Sequence, residues 1–188
     1  MSQSLSSPSL LIALPQLQDP NFVKSVVLLV ENNDDGAMGF IINRPSPFSV
    51  RDVLQDVSLT IPGDIPSWYG GPVGTEQGVV IHNRPDEHAS SKIGFVRISS
   101  SERAMKGLIE SHRETHELEL YSYRFVIGYA GWGQRQLENE MKAGAWIQID
   151  TSFDLIFNTP WQKMWDESMR RIGVNPMDIA PTVQPYLN

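Results

Sequence analysis

Short segments of apolar residues, separated by glycine, proline and polar residues, recur along most of the chain. They are rich in β-branched, aliphatic and aromatic side chains, a composition typical of strands. Roughly eight strands are therefore expected. The candidate segments are Ser9–Leu14, Val23–Val30, Met38–Asn43, Trp68–Val73, Gln77–His82, Ile93–Ile98, Leu118–Ala130, Ala145–Ile149 and Phe153–Phe157. Pro45 lacks an N–H and is expected to end strand pairing after Asn43.

Four further segments place apolar residues at helical spacing, with recognisable caps at their ends. Ser49 and Asp52 have the spacing of a capping box, and Thr159-Pro160 is typical of a helix start, with Thr as the cap. The predicted helices are Ser49–Val57, Ser100 or Ser101 to Glu114, Gln136–Ala143 with Gly144 as its left-handed cap, and Pro160–Ile172 with Gly173 as its end. Strands and helices do not alternate strictly, which favours an α+β fold with a mostly antiparallel sheet.

The stretch Gly128–Glu138 stands out because it joins an apolar strand to a helix through several glycines. Gly131 and Gly133 predict a tight turn after a strand that ends near Ala130. The free N–H groups at the start of the following helix could hold an anion or a polar group. A purely structural turn is the alternative, and the glycine spacing does not match the G-x-G-x-x-G of dinucleotide sites.

The same stretch resembles the signature of the YqgE/AlgH family of bacterial proteins. Further matching pieces follow in family order over nearly the whole chain, from about Leu11 to Ile172. They are Leu11-Ile12-Ala13 with Pro15, Asp19-Pro20-x-Phe22-x-x-Ser25-Val26-Val27, Gly36-Ala37-Met38-Gly39 running to Asn43-Arg44-Pro45, and Gly70-Gly71-Pro72-Val73. One departure is Gln134-Arg135, where family members usually carry Pro-Gly.

The resemblance implies a curled or barrel-like sheet surrounded by about four helices. It also places a matching histidine at His82, whose alternative role is that of a buried, hydrogen-bonded structural side chain. The family has no settled activity. The family name reflects a proposed regulatory role in alginate production. The resemblance therefore implies a regulatory protein, for example a transcriptional regulator.

Polar residues and glycines end several predicted strands, and we expect these strand ends to gather into one cleft. Arg44 would supply its fixed positive charge, and Trp132 an aromatic face for stacking. The candidate ligand-binding residues are Asn43, Arg44, Gly70, Gly71, His82, Tyr129, Gly131, Trp132, Gln136 and Glu138.

Composition narrows the classes of partner. A net charge of −7 with no long basic run makes nonspecific binding to nucleic acid unlikely, and favours protein or small-ligand contact over direct DNA binding. The chain has no cysteine, no signal-peptide pattern and no apolar run approaching the ~20 residues that span a bilayer. We therefore expect a cytoplasmic protein without membrane contact. Residues 9–175 should form one domain, with a flexible tail at 1–8 and an extended tail at 176–188.

Familiar catalytic and metal motifs fail on inspection. No G-x-S-x-G elbow and no P-loop are present. His112 and His116 have the spacing of two ligands on a helix, but a charged helix end explains them better. The acidic loop Glu31–Gly36 could resemble the start of an EF-hand calcium loop, but position twelve of that loop would be Ile42 and not glutamate. We therefore interpret the loop as a hairpin turn. We predict no catalytic residue, no metal site and no cofactor.

These observations favour a non-catalytic binding or regulatory protein of unassigned biochemical activity. Its partner is an unknown small molecule or protein, and the sequence does not determine the oligomeric state. The alternative is a hydrolase acting on a phosphate-bearing or nucleotide-like molecule. It would use His82 as the base, Arg44 as the anion clamp and the glycine turn as the oxyanion donor.

Overall fold

The computed structural model describes residues 8–54, 61, 65–100, 102–111, 121–175 and 177. Within these residues, ten strands form one curled, mostly antiparallel sheet. They are β1 (Ser9–Ala13), β2 (Val26–Asn33), β3 (Gly36–Ile41), β4 (Pro45–Ser49), β5 (Pro66–Tyr69), β6 (Val73–His82), β7 (Ser91–Ile93), β8 (Val96–Ser99), β9 (Tyr123–Gly133) and β10 (Trp146–Asp150). The predicted α+β class is confirmed.

Strand β9 lies at the centre of the sheet. The main order is β10-β1-β2-β3-β9-β6-β8-β7, so β9 joins the first half of the sheet to the second. The short pair β4–β5 attaches through β5, which runs parallel to β9 at Phe125–Ile127. All other pairs are antiparallel.

Helical segments of the described chain cover both faces of the sheet. They are α1 (Val50–Val53), α2 (Glu102–Ser111), α3 (Gln136–Lys142), a π-helical turn at Asp154–Asn158, and α4 (Trp161–Arg171). The π-helical turn and α4 pack on one face. Helix α3 packs on the opposite face, and α1 and α2 cover a separate cluster beside β6 and β9.

Strands β1 and β2 are apolar at consecutive positions because both of their sides are buried. Leu10 and Leu28 point into the cluster under α4, whereas Leu11 and Val27 point into the cluster under α3. All four side chains are inaccessible to solvent. A continuous apolar run is the expected pattern for a strand covered on two faces.

Several local predictions are confirmed. The hairpin between β2 and β3 turns at Asp34-Asp35, the centre of the predicted polar loop. The capping box is present, since Ser49 and Asp52 exchange side chain to backbone hydrogen bonds. Gly144 and Gly173 follow α3 and α4 with φ of 77° and 78°, the left-handed conformation expected of helix ends.

Other predictions are wrong at the level of the element. Pro45 does not end pairing but begins β4, which among the described strands pairs with β5 alone, an edge position that tolerates a residue without an N–H. Ile93–Ile98 is a hairpin of β7 and β8 that turns at Gly94, where φ is 53°. Trp68–Val73 is divided between β5 and β6.

The segment Phe153–Phe157 is a π-helical turn and not a strand. Its aromatic and aliphatic composition suits a strand. Leu155 and Ile156 are instead buried against one face of the sheet, in the cluster that α4 also covers. Pro160, not Thr159, takes the cap position of α4, and the Thr159 hydroxyl donates to the Asp154 carbonyl to close the π-helical turn.

The predicted tails, apart from Pro8 and Met177, lie outside the described residues, as do Ser101, His112 and His116.

Candidate functional site

The Gly70-Gly71 pair marks a crossing of two chain segments. Strands β5 and β6 lie along opposite edges of β9, so their connection must pass across β9. Gly70 N–H donates to Ile127 O at 2.7 Å, and a Cβ at Gly70 would overlap the Gly128 carbonyl. A Cβ at Gly71 would overlap the backbone of Tyr129. These glycines are therefore required by backbone contact within the fold.

The predicted glycine turn after Ala130 is wrong, because β9 continues to Gly133. Gly131 pairs with Met38 and Gly133 with Gly36. A Cβ at Gly36 would overlap Trp132 O, which explains a glycine on the β3 side. The turn comes one step later, at Gln134-Arg135.

Arg135 occupies the turn before α3 in a left-handed conformation, with φ of 59°. A non-glycine residue pays a steric penalty there. Arg135 thus keeps a backbone conformation that glycine adopts without strain.

A carboxylate, Glu140, holds the aromatic residues beside this turn. Its Oε2 accepts the indole N–H of Trp132 at 2.9 Å and that of Trp146 at 2.8 Å. Its Oε1 accepts from the Gln136 amide at 2.8 Å, and Gln136 in turn accepts from Gly133 N–H. The network ties α3 to the ends of β9 and β10.

Sequence reasoning named Glu138 for this position and missed Glu140. The Glu138 side chain is exposed and has no hydrogen bond or ion pair with any residue in the described part of the chain. The signal was available, because Gln136 and Glu140 are four residues apart and share one face of the helix.

Trp132 is packed rather than open. It is 6% exposed and makes an edge-to-face contact with Trp146 at 5.7 Å between ring centroids. Phe22 lies against both indoles, with centroids at 6.2 Å from Trp132 and 5.5 Å from Trp146. The burial of Trp132 leaves little of its ring surface for a stacked ligand.

Asn43 and Arg44 hold the loop that carries Phe22. The Arg44 guanidinium donates to the carbonyls of Asn21 at 2.6 Å and Val23 at 3.1 Å, and it also reaches Pro20 O. Asn43 accepts from Val26 N–H and donates to Lys24 O. The Arg44 charge is thus directed at backbone carbonyls and lies 6.0 Å from the Tyr69 ring.

His82 lies at the opposite end of β9. His82 pairs with Tyr123 near the start of β9. Trp132, near the end of the same strand, pairs with Ala37. The nine residues from Tyr123 to Trp132 correspond to about 30 Å along a strand. The structure therefore brings Trp132 and Gln136 together, joins them to Arg44 through Phe22, and leaves His82 apart. The three groups of the hydrolase alternative do not converge.

The His82 side chain is 1% exposed and neither ring nitrogen has a hydrogen-bond partner among the described residues. It stacks on Tyr123, and its Nε2 lies 3.9 Å from Asp86 Oδ2. Burial lowers the pKa of His82, against the opposing effect of the Asp86 carboxylate. The buried imidazole is therefore held neutral near pH 7.

Arg124 is a buried charge that sequence reasoning also missed. It lies on β9 between Tyr123 and Phe125, facing the cluster under α4, and is 8% exposed. Its guanidinium donates to Ile42 O and, at 3.0 Å, to Ile156 O in the π-helical turn. A charged residue inside an apolar strand segment was the signal that could have identified it.

Within the described residues, no helix is both long and apolar enough to cross a bilayer.

Comparison with known proteins gives consistent matches over almost the full length. A model of the AlgH-like family matches residues 10–177. The chain is 34% identical over 174 residues to a UPF0301 protein of Myxococcus xanthus, covering 90% of this chain and 92% of that protein. It is 34% identical over 182 residues to a UPF0301 protein of Yersinia enterocolitica, covering 91% and 94%.

Two solved structures share the fold. The solution structure of AlgH from Pseudomonas aeruginosa superposes with a TM-score of 0.73 at 31% identity, covering 92% of this chain and 91% of that one. A crystal structure of a Corynebacterium diphtheriae protein has a TM-score of 0.66 at 18% identity over 90% and 87%, and supports the fold alone. Because a family model covers residues 10–177 and relatives are more than 30% identical along nearly all of the chain, the chain belongs to the AlgH-like family, the YqgE/AlgH family that its motifs resemble.

Proposed function

We propose that this protein is a non-catalytic binding protein that recognises an extended segment of a partner protein at the end of β9. We call this region the β9 tip and define it as Gly131–Arg135. A regulatory role would be exercised through this contact.

One observation carries the proposal: on the side of the β9 tip away from β3, no described strand pairs with Gly131 or Gly133, although the Gly133 N–H already donates to the Gln136 side chain. Strand β3 pairs with Gly131 and Gly133 on one side, but β6 leaves β9 at Tyr129 on the other. Gly131 and Gly133 are exposed and have no side chains to shield that edge. An open strand edge is a template for main-chain hydrogen bonds with an added strand.

The surroundings support recognition by a rigid surface. Glu140 on α3 holds the β9 tip in place, because it accepts hydrogen bonds from the Trp132 indole and the Gln136 amide. A preformed site loses little conformational freedom on binding, which favours affinity.

Selection of random peptides displayed on phage against the immobilised full chain tests this proposal. Selected peptides should bind the wild type and lose binding to Gly131→Lys and Gly133→Lys, since a lysine on a strand edge blocks strand addition. A Cβ at either glycine meets no atom closer than 3.4 Å, so both variants should fold. Asn139→Lys adds the same charge at an exposed position of α3 and is the matched control.

The proposal fails if no peptide is selected. It also fails if the selected peptides bind the two tip variants as well as they bind Asn139→Lys and the wild type.

A further inference from the structure

The Arg124 guanidinium is enclosed at the end of the sheet interior away from the β9 tip. Its two hydrogen bonds to described residues go to neutral acceptors, the carbonyls of Ile42 and Ile156. The Trp68 ring covers the guanidinium, with 4.3 Å between the charged carbon and the ring centroid. Since Trp68 itself is half-buried, the enclosure is incomplete on its side.

No carboxylate among the described residues neutralises this charge. The ion pairs there are Lys92–Glu87, Lys106–Glu102 and Arg170–Glu167, and the Asp86 carboxylate lies beside the neutral His82 ring. Burial lowers the pKa of Arg124 to about 10, so the side chain still carries its proton at neutral pH. Buried charges in proteins are ordinarily paired with an opposite charge, because carbonyl dipoles and an aromatic face compensate them only in part.

The guanidinium also has donors to spare. Arginine carries five N–H groups in a planar fork, and two hydrogen bonds to described residues leave three without an acceptor. The side chain keeps 8% exposure, so it is not sealed from solvent. A planar fork with free N–H groups is suited to bidentate recognition of a carboxylate or phosphate.

We propose that Arg124 and Trp68 form a binding site for an oxyanion, taking the carboxylate or phosphate group of a small molecule between β9 and the π-helical turn. The anion accepts from the free N–H groups of Arg124 and supplies the missing negative charge. Trp68 packs against the organic part of the molecule at the open side. The π-helical turn contributes Ile156 O, which orients the fork, and such turns recur at functional sites.

This site does not depend on the proposed function of the β9 tip. Arg124 and Gly131 are seven residues apart on β9, about 23 Å along a strand, so either site can fail without the other.

Titration of the wild-type protein with inorganic phosphate and, separately, with acetate tests the inference directly. The readouts are the Arg124 Nε–H and Trp68 indole N–H resonances at constant pH and ionic strength, with chloride as the matched salt. Saturable shifts of both resonances with phosphate or acetate are expected, and the anion that saturates at the lower concentration identifies the preferred group.

A purely structural role for Arg124, as a clamp between Ile42 and Ile156, predicts no saturable shift with either anion. That result overturns the inference. Shifts confined to exposed cations such as Arg135 or Arg170 overturn it as well.

Variants then separate the site from general electrostatics. Arg124→Lys keeps the charge but not the fork, and it should weaken the preferred anion by about tenfold, a change easily resolved in a titration. Arg170→Leu removes an exposed arginine and should leave the affinity unchanged. If Arg124→Lys does not fold, Trp68→Phe serves instead and should weaken binding while Arg124 remains. Unchanged affinity in the folded variant contradicts the site.

Discussion

The carboxylate of Glu140 accepts the Trp132 indole N–H at 2.9 Å, so the helix that follows β9 is fastened to the last residues of the strand. The same oxygen serves Trp146 at 2.8 Å, and both indoles are almost fully buried. One side chain therefore satisfies two buried donors that come from different strands. This arrangement makes Glu140 the critical residue of the aromatic cluster.

Replacing Glu140 with alanine should lower the free energy of unfolding by about 2–3 kcal/mol, because two buried N–H groups lose their acceptor. Glu140→Gln keeps one acceptor oxygen and should cost about 1 kcal/mol. Urea unfolding followed by tryptophan fluorescence measures both. Glu138→Ala, on the same helix but exposed, should stay within about 0.5 kcal/mol of the wild type. Equal effects at positions 138 and 140 would contradict the network.

Arg135→Gly should stabilise the protein by up to about 1 kcal/mol. A left-handed residue other than glycine costs roughly 1–2 kcal/mol, and the greater freedom of glycine in the unfolded chain offsets part of the gain. Gln134→Gly, at a neighbouring position without positive φ, should instead destabilise by roughly 0.5–1 kcal/mol. Thermal unfolding of the two variants decides, and a destabilised Arg135→Gly variant would show that its side chain has a role that the backbone geometry does not reveal.

The glycines of β9 and its crossing segment should differ sharply in tolerance to alanine. Gly71→Ala should lower the free energy of unfolding by at least about 3 kcal/mol, since its Cβ overlaps the Tyr129 backbone at a φ of 151°. Gly131→Ala should be nearly neutral, because its Cβ meets Tyr129 at an ordinary 3.4 Å. Chemical denaturation of both variants tests the crossing. A well-tolerated Gly71→Ala would mean that the two segments are not in backbone contact.

Stability should fall as the pH is lowered through the range just below 6.5, because of His82. Burial depresses the pKa of His82 in the folded state, so the unfolded chain binds the proton first, and its ordinary pKa is about 6.5. The contribution of neutral His82 is therefore complete above about pH 6.5 and is lost as the pH falls toward the depressed pKa.

The free energy of unfolding should be measured at pH 7.5 and at pH 5. The wild type should be less stable at pH 5, and His82→Phe should reduce this difference in stability. Phenylalanine keeps the stacking on Tyr123 without a titrating group. His88→Gln, in the neighbouring loop, should retain the wild-type difference. Desolvation raises the pKa of Asp86, but the hydrogen bond from His88 N–H and nearby positive groups outweigh it, so the pKa of Asp86 is lowered and Asp86 titrates at lower pH than His82. An unchanged difference in His82→Phe would assign the pH dependence to other groups.

Local patterns were sufficient for much of the fold. The Ser49–Asp52 capping box, the Asp34-Asp35 hairpin turn and the glycine after α3 were identified from residues close in sequence, and each depends on local geometry. The π-helical turn was not identified, since only packing of Leu155 and Ile156 under the sheet distinguishes it from a strand of the same composition.

The candidate site shows the same limit. Gly131 and Gly133 were interpreted as a turn because nothing in their neighbourhood shows that β3 pairs alongside them. Gly70 was expected at the end of a strand, but it meets Gly128 where two segments more than fifty residues apart in sequence cross. Contacts of that range decide whether a glycine serves a ligand or another part of the backbone. The binding role of the ten candidate residues stays a prediction.

The passage of the Gly70-Gly71 segment across β9 also determines the order in which the strands can pair during synthesis. Strands β3, β5 and β6 leave the ribosome first, but each needs β9 as its neighbour, and β9 ends only at Gly133. Until that strand emerges, three exposed strand edges must be kept from pairing with other nascent chains. A ribosome stalled before Tyr123 should therefore hold a chain that chaperones bind, whereas one from which β9, β10 and α4 have all emerged should hold a protease-resistant chain.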